Sequence, residues 1–138
     1  MPLALIVTLE KELPDAQSAY TKAGMGKALA RELDKIDYAA RCVKVQQPSS
    51  LLSESQAALI QQMKDEGFDP SKMRLPPENF YPAAEGLKTI RALHQYVSEN
   101  LNNFKQPNPI RRDLKSAESL LAEAEKSVVR FHFSKANL

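Results

Sequence analysis

Most of the residue patterns that mark a specific chemistry are scarce or missing in this sequence. A single cysteine, Cys42, stands among 138 residues, so no internal disulfide can form. A lone thiol fits a reducing cytoplasm better than an oxidising exterior. Histidine is limited to His94 and His132. There is no HExxH, no CxxC and no EF-hand loop, which removes the common zinc and calcium sites; no cofactor is implied. The GxSxG nucleophile signature is missing, and no histidine neighbours Cys42 in sequence. Long apolar runs are missing too. The N-terminal run spans only Leu3 to Leu9, with no cationic flank and no small-residue cleavage site. It is too short for a signal peptide or a membrane span, which points to a cytoplasmic protein with no membrane partner.

What remains is an ordinary globular composition, 43% hydrophobic and 26% charged. This excludes global disorder and collagen-like sequence. The length fits one domain, residues 1–138. The net charge is +2, and it is uneven. Residues 1–69 hold eight cations and ten anions, a net of −2; residues 70–138 hold eleven and seven, a net of +4. That is a mild basic bias, short of the clustered charge of a typical nucleic-acid binder.

Apolar periodicity predicts an α+β fold with a small sheet of two to three strands packed against about four helices. Residues 2–9 read as a strand apolar on both faces, ended by Pro14 and Asp15. Residues 15–24 read as a loop or a short helical turn, closed by Gly24 and Gly26. A helix is predicted over about 26–40 from the stripe Leu29, Leu33, Ile36 and Ala40. Residues 41–47 alternate weakly and read as a short strand, parallel to the first, with Cys42 buried in it. Ser53 and Gln56 fit a capping box for a helix over about 54–66, with Gly67 just past its end. The proline-rich stretch 69–82 reads as a loop, pinned to the core by Phe68, Phe80 and Tyr81. Helices over about 83–104 and 109–126 form an antiparallel hairpin, with Asn108 as N-cap and Pro109 at the first helical position. The closing segment SVVRFHFS reads as a half-buried strand beside the first.

Few residues stand out as chemically active. Gly24-Met25-Gly26-Lys27 precedes a helix, as a phosphate loop would. The rest of the P-loop pattern is missing, and Ala28 occupies the hydroxyl position. A turn and helix start explain it. One polar set comprises Glu10, Lys27, Glu85, Arg91 and His132, which could surround a pocket at one end of the sheet. Glu85, Lys88 and Arg91 share roughly one helix face, where ordinary ion pairs also account for them. A second set, Arg111, Arg112 and Lys115, places positive charge at a helix start, against the macrodipole. Binding of an acidic partner would give that charge a use.

Three segments together resemble a family of small bacterial proteins of unassigned activity. They are LALIVTLEKELP with GKALA (26–30), YPAAEGLKTIRAL (81–93) and DLKSAESLLAEAEKSVVRFHF (113–133). The resemblance carries over to Glu10, Gly26, Lys27, Glu85, Gly86, Arg91, Asp113, Arg130, Phe131 and His132, and leaves residues 44–80 outside. It implies a shared fold and a bacterial cytoplasmic origin, and attaches no reaction.

The reading that follows is a non-enzymatic interaction module, of immunity or regulatory type, with an acidic protein partner. A small-molecule binder or weak hydrolase built on Glu10, Lys27, Glu85, Arg91 and His132 is the alternative, if those side chains converge. Nucleic-acid binding would need Arg111, Arg112, Lys115, Arg130 and Lys135 in one stripe. The two longest helices offer a two-fold interface for a homodimer.

Overall fold

The two ends of the chain pair with each other. In the computed structural model, which describes residues 3–22, 26–53, 56–69, 71 and 78–137, strand β1 (Leu3–Leu9) lies antiparallel to strand β2 (Phe131–Asn137). Leu3 stands opposite Asn137, and Leu9 opposite Phe131. Directly paired residues share a face. Leu5, Val7, Phe131 and Phe133 therefore form one apolar face, all of them buried. Thr8, His132 and Ser134 form a polar stretch on the other, beside Ala4 and Ile6. The predicted half-buried C-terminal strand is thus buried on both faces, with His132 0% and Ser134 8% exposed.

Six helices lie between the strands. These are α1 (Pro14–Lys22), α2 (Lys27–Arg31), α3 (Leu33–Cys42), α4 (Gln56–Asp65), α5 (Ala83–Glu99) and α6 (Pro107–Lys126). The fold is α+β, with one small sheet backed by helices. No helix among the described residues is long and apolar enough to cross a membrane.

The largest helix pair is α5 with α6, the predicted hairpin. Their stripes, Leu87, Ile90, Leu93 and Val97 against Ile110, Leu114, Leu121 and Ala124, are all buried. Gly86 lets α5 meet the sheet. A Cβ there would sit 2.4 Å from the Phe131 ring and 3.1 Å from Leu121. Gly26 lets the chain pass β1. A Cβ there would stand 1.9 Å from the Leu5 carbonyl oxygen, and its φ of 79° is left-handed.

Several expectations are corrected. Of the two readings of 15–24, the helical one holds over the described part but falls short in length: Pro14 opens α1, where its missing N–H costs nothing, and the helix runs to Lys22. The helix predicted over 26–40 is broken at Glu32, whose φ and ψ are −121° and 32°. The break has a tertiary cause, because the Glu32 carboxylate accepts N–H bonds from Lys105 (2.8 Å) and Gln106 (3.2 Å). No strand forms over 41–47; α3 runs through Cys42, which is exposed rather than buried. The hydroxyl of Ser53 accepts the N–H of Asn79 at 2.9 Å, and the start of the helix it is read as capping, residues 54 and 55, lies outside the described residues. Helix α5 stops at Glu99, followed by a 3-10 turn at Leu101–Asn103. Helix α6 starts at Pro107, with Gln106 as its N-cap, so Asn108 and Pro109 lie inside its first turn. In the proline-rich stretch, residues 70 and 72–77 lie outside the described residues. Beside it Phe68 is exposed, while Tyr81 pairs with Phe131 through reciprocal backbone bonds.

Candidate functional site

The first predicted set is scattered over the fold, whereas Arg111, Arg112 and Lys115 lie together near the start of α6. Glu10 pairs with Arg130 at the end of the sheet. Lys27 and Glu85 are exposed at the starts of α2 and α5. Arg91 faces α6 and lies 3.7 Å from Glu118. His132 is buried in the sheet. None of these five lines the three depressions described in this structure. In the second set, Lys115 lies 3.8 Å from Glu118 and Arg112 is exposed. Arg111 is half-buried, with its Nε shielded from water and without a hydrogen-bond partner.

His132 heads a connected polar row on the sheet. Its Nε2 lies 2.6 Å from a Glu78 carboxylate oxygen. Its Nδ1 lies 3.0 Å from the Ser134 hydroxyl and 3.1 Å from the Phe133 carbonyl. The Ser134 hydroxyl donates to the Ser53 carbonyl at 3.3 Å and lies 3.1 Å from the Thr8 hydroxyl. The Phe80 ring is tilted over the imidazole, with centroids 5.0 Å apart. The imidazole tautomer sets which ring nitrogen donates in this row. Carboxylate, imidazole and hydroxyl stand in the order of a hydrolytic relay. The hydroxyl, however, is inside the fold and already bonded on several sides. The row fastens the 78–81 segment and Ser53 to β2 and satisfies buried polar groups.

A buried carboxylate joins two segments remote in sequence. The Asp113 carboxylate accepts the N–H groups of Ala28 (2.9 Å) and Leu29 (3.3 Å). It therefore caps α2 from α6, a neighbour remote in sequence. Burial pushes the Asp113 carboxyl above its ordinary value, against those two N–H bonds and nearby Arg112 and Arg31. The GKAL motif and Asp113 thus meet at one structural joint.

Charge gathers elsewhere. A depression of about 340 Å³ is lined by Ala30, Arg31, Glu32, Leu33, Asp34, Lys35, Lys105 and Lys135. The four cations come from α2, α3, the turn before α6, and β2. Of these, only Lys35 forms an ion pair among the described residues, 3.3 Å from Glu32. Burial alone would push the Glu32 carboxyl up. The N–H bonds of Lys105 and Gln106, with the Lys35 ammonium, outweigh it and hold the carboxyl below its ordinary value. Glu32 is thus ionised and occupied, leaving Asp34 as the acid against Arg31, Lys105 and Lys135. A metal ion has no obvious place: among the described residues no three His, Cys, Asp or Glu side chains cluster to hold one.

A second depression, about 350 Å³, adjoins the first and shares Asp34 and Lys35 with it. Its remaining lining is Tyr38, Tyr96, Asn103 and Phe104. Tyr96 and Phe104 meet edge to face, centroids 6.4 Å apart at 89°. Tyr38 is 58% exposed, with the Arg41 guanidinium 5.8 Å from its ring centre. Sequence reasoning had no access to this site. Lys135 is named there only as part of a basic stripe. Arg31, Lys35 and Lys105 are separated in sequence, and the break at Glu32 and the turn before α6 bring them together. No family model matches the chain, and no curated protein and no solved structure shows a significant match to it.

Proposed function

We propose that this protein is a non-enzymatic interaction module of the bacterial cytoplasm, immunity-type or regulatory, that binds an acidic partner protein. Its docking point is the cationic depression between α2, α3, the turn before α6 and β2. One observation carries the reading: Arg31, Lys35, Lys105 and Lys135 are remote in sequence yet surround one depression, and three of them form no ion pair among the described residues. A charge run on one helix is explained by solvation alone. Convergence from four elements places like charges together, where an incoming carboxylate relieves their repulsion. Complementary charge of this kind speeds encounter and suppresses wrong partners more than it adds affinity, so binding should weaken with salt.

The test is affinity capture at moderate salt with three proteins: wild type, Lys105→Glu/Lys135→Glu, and Arg111→Glu/Arg112→Glu. Captured proteins are identified by mass spectrometry, and the complex is rebuilt from purified components for calorimetry at low and high salt. The expected result is a stoichiometric acidic partner, lost with Lys105→Glu/Lys135→Glu, retained with Arg111→Glu/Arg112→Glu, and weakened by salt. Equal binding by the first variant, or a salt-insensitive complex, would overturn the assignment.

A further inference from the structure

We infer that the partner is recognised as an extended peptide segment in which acidic side chains stand beside one bulky apolar side chain. The apolar group seats in the Tyr38–Tyr96–Phe104 cleft, and the carboxylates enter the neighbouring cationic depression. The inference rests on the acidic-partner reading and adds to it a segment type and a spacing.

Three observations lead to it. The cleft and the depression share Asp34 and Lys35, so they form one continuous track along α3. Two of the cleft's rings, Tyr96 and Phe104, are packed edge to face against each other, and Tyr38 projects beside Arg41. Rigid aromatic walls offer contact area at little entropic cost. Tyr38 nevertheless keeps 58% of its surface in water, a large apolar group the fold has left unused. Each depression is also too small to engulf an extended ligand. A volume of about 350 Å³ is roughly 7 Å on a side, room for one large side chain. Adjoining centres at that size lie about two to three residues of extended chain apart, at ~3.4 Å per residue.

The junction residue selects a peptide over a single nucleic-acid strand. Aromatic rings beside cations would suit either. Asp34, however, lies in the wall common to both depressions. Its carboxylate would face a phosphodiester at every crossing and repel it. A peptide presents an N–H there instead, which Asp34 accepts.

The test is selection of a random peptide library on the intact protein, followed by fluorescence anisotropy with the synthetic consensus. Selected sequences should carry an aromatic or large aliphatic residue two to three positions from an Asp or Glu. Replacing that residue by Ala should weaken binding at least tenfold. Tyr38→Ala should weaken the parent peptide by a similar factor and leave the Ala peptide unaffected; this exposed position is not needed for the core, and circular dichroism checks the fold. Lys105→Glu/Lys135→Glu should abolish binding of both peptides. A fluorophore on Cys42, the only cysteine and one helical turn from Tyr38, reports occupancy directly. Acidic peptides that bind equally well without the apolar residue would overturn this inference and leave the acidic-partner reading standing. Failure to enrich acidic peptides, or displacement of the consensus by a single-stranded oligonucleotide, would overturn both.

Discussion

Three helices of this protein end in the same hydrogen-bonded motif, and only one of them has the residue the motif favours. At the end of α4, Gly67 N–H donates to Lys64 O (3.1 Å) and Phe68 N–H to Met63 O (2.8 Å). At the end of α3, Lys44 N–H donates to Arg41 O (3.3 Å) and Val45 N–H to Ala40 O (3.0 Å). At the end of α6, Val128 N–H donates to Glu125 O (3.1 Å) and Val129 N–H to Ala124 O (2.8 Å). Each is a Schellman cap, which places its C′ residue in the left-handed region. The φ values are 84° for Gly67, 58° for Lys44 and 55° for Val128. An L-residue there costs about 1–2 kcal/mol, and β-branching places valine at the upper end. Glycine gives back about 0.5–1 kcal/mol through its unfolded-state entropy. Val128 is 86% exposed, so its removal forfeits little packing. Val128→Gly should therefore stabilise the protein by about 1 kcal/mol, and Lys44→Gly by about 0.5 kcal/mol. At this chain length that is a Tm increase of roughly 2–5 °C. Gly67→Ala should lower Tm by a similar amount. The assay is thermal unfolding by circular dichroism and calorimetry of the three single variants and the stabilising double variant, whose effects should add. A decrease in Tm for Val128→Gly, with no loss for Gly67→Ala, would refute the argument.

Other consequences follow from the joints described above. Gly86→Ala should destabilise by about 1–3 kcal/mol through overpacking on Phe131, and Phe131→Leu in the same chain should recover part of the loss, measured as a double-mutant coupling in urea unfolding. Asp113→Ala strands two N–H groups of α2 and should cost about 2–4 kcal/mol, whereas Asp113→Asn keeps one acceptor and should cost much less. The two shifted carboxyls act oppositely with pH. Glu32, held below its ordinary value, contributes stability that is present above the ordinary carboxylate range and is lost as pH falls through its folded value. Asp113, held above, makes a contribution that declines as pH rises from that ordinary range through its folded value. Urea unfolding across acidic pH should thus show a shallower acid loss for Glu32→Gln than for wild type; an unchanged slope would remove Glu32 from this role.

Elements carried by local pattern were legible in the sequence. The apolar faces of β1, the stripes of α5 and α6, and Gly67 past α4 all lie where periodicity and turn chemistry put them. The errors fall where a distant group decides. The stripe Leu29, Leu33, Ile36, Ala40 runs through Glu32 without interruption, and only the backbone of Lys105 and Gln106 explains the break. Lys44 takes a left-handed conformation with no glycine to announce it, so the end of α3 read as a strand. The Ser53 hydroxyl takes the N–H of Asn79, a partner no local pattern announces. The proposed docking track was least legible of all, because it exists only once α2, α3, β2 and the turn before α6 are assembled.

The pairing of Leu3–Leu9 with Phe131–Asn137 means that β1 leaves the ribosome long before its partner strand. Until then its apolar residues have no partner strand, and closing the sheet joins segments remote in sequence. The helices can form in order from local contacts, but the sheet cannot. A nascent or C-terminally truncated chain therefore exposes an adhesive N-terminal segment. In the finished fold two donors on the outer edge of that same segment are occupied: Leu5 N–H donates to the Gly26 carbonyl (3.1 Å), and Val7 N–H to the Tyr20 hydroxyl (3.0 Å), whose burial raises it well above the ordinary phenol range. With these donors occupied, β1 has less capacity to recruit a foreign strand. Vulnerability to aggregation thus belongs to the time before β2 arrives to cover β1.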